Sequence, residues 1–199
     1  MRNSLALVLA AALLTGGCFA QQPAKGSSKV VETSSRKPDW ADKRFMEKDG
    51  KLYFVGTVAA VRDLALGEEQ AEYQAKKVVA SSIQETFQRE FSTATSGSNS
   101  LAAGSPLGQA IESALSASTD RIKIRGMMPM ERYWERVETV TDDGVASSYN
   151  VMLLVVVPKA EYDRAKSQVV DETARIEQVQ ADAKAREALE RVRKRLETP

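Results

Sequence analysis

The stretch from Glu131 to Pro158 limits the possible folds of this chain more than any other segment. Glu131-Arg132-Tyr133-Trp134-Glu135-Arg136-Val137-Glu138-Thr139-Val140 reads as a strand, with Tyr133 and Trp134 pointing to opposite faces. Thr141-Asp142-Asp143-Gly144 reads as a hairpin turn, since Asp-Gly is a favoured pair where φ is positive. The return strand covers Ser147–Val157 and ends in the unbroken apolar run Val151–Val157. Such a run belongs in the middle of a sheet. Pro158 stops it, having no N–H to give to a ladder. Upstream, Ile122 and Ile124 alternate with Arg121, Lys123 and Arg125, and Met127-Met128-Pro129-Met130 bends or breaks that strand.

A further strand is expected at Lys51–Ala60, after the turn signal Asp49-Gly50. Gly56 inside it marks a bulge or a close backbone approach. A long helix follows at Leu64–Phe91. Ala71, Ala75, Val78, Val79, Ser82 and Thr86 recur at three- and four-residue spacing, beside Ile83, Phe87 and Phe91. The small residues early in that stripe let the helix lie close on a sheet. Ser92–Ser105 is a surface loop, flexible or a mobile binding loop. Leu107, Ile111, Ala114, Leu115 and Ser118 form a short helix.

The last helix runs from Lys159 to Leu196 and carries two stripes. Tyr162, Ala165, Val169, Thr173 and Ile176 share one face; Ala185, Leu189, Val192 and Leu196 share another. At about 100° per residue the second stripe is turned roughly 220° from the first. Either the helix kinks near Gln178–Asp182, or its end packs on something else. Acid-before-base pairs at i,i+4 (Asp182/Arg186, Glu187/Arg191, Glu190/Lys194) favour helix. Ala185, Leu189, Val192 and Leu196 are therefore the candidate partner-binding residues, for a second copy or an envelope protein.

The N-terminus carries an address. Leu5–Leu14 is an apolar run of ten residues behind Arg2, followed by Thr15-Gly16-Gly17-Cys18. A membrane-spanning helix needs about 20 such residues, so the run reads as a removable targeting segment. Residues 1–17 form a lipoprotein signal, and Cys18 is the lipid attachment site. Leucine is usual three places before such a cysteine; here Thr15 holds that place, and Leu14 sits one earlier. The alternative is an ordinary secretory signal cut after Ala20. Lipidation accounts for the lone cysteine, which has no disulfide partner. Phe19, rather than aspartate, follows it, which among proteobacterial lipoproteins points to the outer membrane. Residues 18–36 are poor in apolar groups and are expected to be a disordered tether. Loss of Arg2 lowers Lys+Arg from 28 to 27, against 27 Asp+Glu, so the mature chain is neutral. A nucleic-acid partner would favour a basic domain.

Pro38-Asp39-Trp40, Leu52-Tyr53-Phe54-Val55-Gly56 and the Ala-rich helix with Ala71 and Ala75 resemble the Lpp-twenty family of small bacterial surface lipoproteins. Tyr133-Trp134 ahead of Tyr149–Val157 and Pro158-Lys159 extends the likeness, which covers about Pro38 to Ala165. The resemblance implies an α+β fold of β-α-β-β-α order, with a small antiparallel sheet packed on a long helix. It also implies an envelope role without known catalysis, and some members look like flagellar-motor accessory lipoproteins that form rings below the outer membrane. The chain departs from the family by its extended charged C-terminal helix. The expected division is residues 18–36 as tether, 37–165 as α+β domain and 166–199 as charged helix.

The sequence excludes much chemistry. It contains no histidine, which removes Ser-His-Asp and Cys-His nucleophiles and most zinc sites. Gly97, Gly104 and Gly108 do not form a phosphate loop. Asp142-Asp143 reads as a turn and not as a metal site. Glu131 and Glu135 share a strand face, Glu138 lies on the other, and Arg132 and Arg136 between them point to ion pairs instead of carboxylate catalysis. Met127, Met128 and Met130 are core filling, or a soft interface. No catalytic residue, cofactor or metal is expected. The expected protein is a non-enzymatic, lipid-anchored envelope component that faces the periplasm, with the cell surface as an alternative. It acts by self-association or through an envelope partner; the rival is a ligand-binding module for peptidoglycan or lipid.

Overall fold

The computed structural model describes residues 24–96, 101, 104–121 and 124–197. Strands β1 (Ser28–Thr33), β2 (Phe45–Lys48) and β3 (Lys51–Val61) lead into helices α1 (Leu64–Ala94) and α2 (Pro106–Arg121). The long hairpin β4 (Met128–Thr141) and β5 (Gly144–Pro158) follows, and then α3 (Lys159–Ala174), α4 (Glu177–Ala181) and α5 (Ala183–Glu197). The five strands form one antiparallel sheet in the order β1-β4-β5-β3-β2. The protein is α+β, with α1 packed along the sheet.

Chemistry puts β5 at the centre. Val151, Leu153, Val155 and Val157 go under the helices, while Leu154 and Val156 are buried on the other face. On β3, Leu52 and Phe54 face α1, and Val55 faces away. Gly56 lies where α1 touches the sheet. A Cβ there would sit 2.0 Å from the Ala71 carbonyl oxygen and 2.5 Å from the Ala75 nitrogen. Gly67, Ala71 and Ala75 supply the matching flat side of α1. Asp63 caps that helix, its carboxylate accepting the Leu66 N–H at 2.8 Å.

Both hairpin turns are short. Asp49 and Gly50 both have positive φ, 52° and 67°, as a two-residue loop between twisted strands requires. At the β4–β5 turn only Gly144 does, with φ 125°.

The structure corrects three expectations. Part of the expected tether is β1, paired with β4 from Ser28↔Thr139 to Thr33↔Glu135. An edge strand draws on backbone hydrogen bonds and needs few apolar side chains, so composition hid it. Ser28 and Thr139 hydroxyls bond at 2.8 Å, and Glu32 pairs with Arg136 at 2.9 Å. The domain therefore begins near Gly26 and not at residue 37. Second, Arg121 ends α2, and Ile124 and Arg125 precede β4, which starts at Met128; Ile122 and Lys123 of that alternation lie outside the described residues. The β4 ladder shifts register between Pro129 and Glu131, so Pro129 bends the strand without ending it. Third, the described C-terminal stretch 166–197 is not separate from the domain, and of the two alternatives for the last helix the chain takes the kink, with breaks at Ile176 and at Asp182. Ile176 and Asp182 leave helical geometry, with ψ of 134° and 116°, and the chain turns back on itself.

Candidate interaction surface

The four residues proposed to bind a partner occupy α5. Ala185 and Val192 are fully buried, Leu189 is 2% exposed, and Leu196 packs against the same core. The turn at Ile176 and the break at Asp182 rotate the displaced stripe back onto α1 and α3. Asp182 starts α5 by accepting the Ala185 N–H at 2.9 Å. The helix is also held at its rim. Arg191 donates to the Ala94 carbonyl at 2.7 Å, filling an acceptor left open where α1 ends. Arg193 pairs with Asp171 of α3 at 2.5 Å, and Arg195 with Glu90 of α1 at 3.5 Å. The Ala185, Leu189, Val192, Leu196 stripe is thus an internal seam and not an outer surface.

The other sheet face has a smaller cover. Pro38 and Trp40 start a turn-rich segment whose Trp40 and Ala41 sit on Val55, Tyr133 and Leu154. Trp40 is 8% exposed, and its indole N–H donates to Glu131 at 2.7 Å. The Tyr133 hydroxyl donates to Glu135 at 3.0 Å. Burial, then the bond to Glu135, pushes the Tyr133 phenol up to about 12. Both glutamates on this face are therefore spent holding aromatic side chains. On the helix side of β4, Arg132 forks onto Glu68 of α1, and Arg136 pairs with Glu32 and Glu138. Trp134 packs there edge-on to Tyr149 with ring centroids 5.7 Å apart.

The outer side of β4 is one of the places where apolar groups meet solvent, as Phe45, Leu66, Tyr73 and Val145 do elsewhere. β1 pairs only with residues 135–139, and Ser34 adds backbone and hydroxyl bonds at Trp134. Among the described residues no strand lies beside Met128–Tyr133 on the side away from β5. Met128 is 59% and Met130 52% exposed, whereas Met127 packs on the main core. Pro129 and the register shift beside Met130 interrupt the free ladder, which guards against strand addition.

A depression of about 320 Å³ is lined by Arg125, Glu161, Arg164, Ala165 and Gln168. Arg164 already forks onto Glu161 at 2.7 and 2.9 Å. Of the loop Ser92–Ser105, the first residues extend α1 and Leu101 is buried in the main core. Residues 97–100 and 102–103 lie outside the described residues, as do Cys18 and the whole signal segment. No described helix is long and apolar enough to cross a membrane. No family model, curated protein or solved structure matches the chain.

Proposed function

We propose that the protein is a non-enzymatic, lipid-anchored component of the bacterial envelope, held to the outer membrane through Cys18 and acting by association with itself or with an envelope protein. The lone cysteine behind a ten-residue apolar run supports the anchor. The observation that carries the association is the pair Met128 and Met130, both more than half exposed at the free end of β4. Thioether side chains adapt to a partner of varied shape. The resemblance to the Lpp-twenty family adds flagellar-motor or cell-envelope assembly as the setting. A photo-crosslinking residue at Met130 in living cells tests the reading. Capture of a second copy or of one envelope protein, lost in Met128→Lys, is the expected result. An unchanged oligomeric state in Met128→Lys and Met130→Lys, with no capture, would refute it. Cell-wall binding by the purified domain, abolished by deleting residues 98–100, would favour a ligand-binding module instead.

A further inference from the structure

The residues ahead of β1 are tied to one end of the sheet. The Gly26 N–H donates to the Val140 carbonyl at 2.9 Å, and the Val140 N–H to the Ser27 carbonyl at 3.1 Å. The Lys25 ammonium pairs with Asp142 in the β4–β5 turn at 2.5 Å. This end also outruns the rest of the sheet. The last β3–β5 pair is Val61↔Tyr149, yet β4 and β5 continue to Thr141↔Gly144 with β1 beside them up to Ser28↔Thr139. Residues 141–147 are all exposed, and Val145 is 65% exposed.

Six chain steps separate Cys18 from Ala24. At no more than about 3.6 Å per residue they span at most about 22 Å, whatever path they take. The far end of the domain is the Asp49-Gly50 turn, joined to the other end of β5 through Lys51↔Pro158. At about 3.3 Å per residue, β5 separates the two ends by roughly 45 Å. An acyl chain on Cys18 therefore holds the β4–β5 turn close to the bilayer and allows the opposite end to stand away.

We infer that the three-stranded tip of β1, β4 and β5 is the membrane-facing end of the domain, and that a lipid surface is the partner it fits. The inference rests on the lipid-anchor reading. The tip is narrow, so it reaches a bilayer before the helices do. Its charges are mixed, exposed Lys25 and Lys29 against exposed Asp142 and Asp143. Headgroup attraction is therefore a minor force beside the short tether.

The test uses the full acylated protein in vesicles of phosphatidylethanolamine and phosphatidylglycerol with a headgroup-borne quencher. Acylation blocks Cys18, so a fluorophore goes only to an introduced thiol, Asp143→Cys in one variant and Lys48→Cys in another. Quenching several-fold stronger at position 143 is expected. A long Gly-Ser spacer after Pro23 should shrink that difference. Equal quenching, or stronger quenching at 48, in protein whose Cys18 carries acyl chains overturns the orientation alone. Protein that lacks the acyl group and does not float with vesicles overturns the anchor reading, and the orientation with it.

Discussion

At the residue scale, two side-chain positions carry unusual demands. Gly56 has no room for a methyl group, because backbone atoms of α1 stand where its Cβ would go. Backbone cannot rotate away as a side chain can. Gly56→Ala should cost more than about 2 kcal/mol, at the upper end of overpacking effects, read by denaturant unfolding. An unchanged midpoint would mean that α1 shifts freely on the sheet. Tyr133 imposes a pH limit. Its ionisation is raised by burial and by the bond to Glu135, so the folded state prefers the neutral phenol. That contribution is complete below about pH 10, the unfolded value, and is lost as pH climbs through about 12. Tyr162, raised mainly by burial, adds to the same limb. Tyr133→Phe should flatten the alkaline fall in stability measured by chemical unfolding across that range. A fall as steep as in the parent protein would assign it to other groups.

At the element scale, α5 is the decisive piece. Its apolar face is covered by α1 and α3, and its arginines reach Ala94, Asp171 and Glu90. The helix therefore belongs to the folding unit. Leu189→Ala should cost about 2–5 kcal/mol, the range for a large buried side chain cut to a methyl. Leu189→Glu should unfold the domain instead of merely separating assembled copies. A Leu189→Glu protein with native circular dichroism and an unshifted melting temperature would show that α5 is dispensable. Asp182→Ala removes the cap on the Ala185 N–H and should cost about 1 kcal/mol.

At the scale of the whole molecule, β1 is an edge strand and, on the proposed lipid-anchor reading, the first element after the anchored segment. It covers only residues 135–139 of β4 and leaves the methionine end open. Deleting residues 24–34 should lower stability and also bare the rest of β4, an unpaired edge of the kind that promotes association between chains. Sedimentation of the truncated protein is expected to show higher-order species. A stable, monomeric truncation would show that β1 guards nothing. The proposed function and the inferred orientation meet at this scale too: the β4–β5 turn and the Met128/Met130 patch lie at opposite ends of β4. A membrane-apposed tip would thus present the methionines away from the bilayer, where a neighbour could reach them.

The sequence alone determined the elements whose chemistry is local. Val151–Val157 reads as a central strand and Asp49-Gly50 as a tight turn, while Gly56 reads as a bulge or a close approach and the small Ala71 and Ala75 as a helix face able to lie close on a sheet. The opposite faces of Tyr133 and Trp134 followed from alternation. Only the tertiary structure decided where weak local signals went. Ser28–Thr33 is a strand because β4 offers it an edge, and no property of those residues by themselves requires that. The stripe of Ala185, Leu189, Val192 and Leu196 was legible as a buried surface in want of a cover. Its cover depended on two residues, Ile176 and Asp182, leaving the helix. Neither is a proline or a glycine; Asp182 is a helix-starting cap inside the stretch where the opposed stripes allowed a kink, whereas nothing local marks Ile176. The turn exists because reversing the chain removes that stripe from water against α1 and α3, a gain that appears only once those helices are in place.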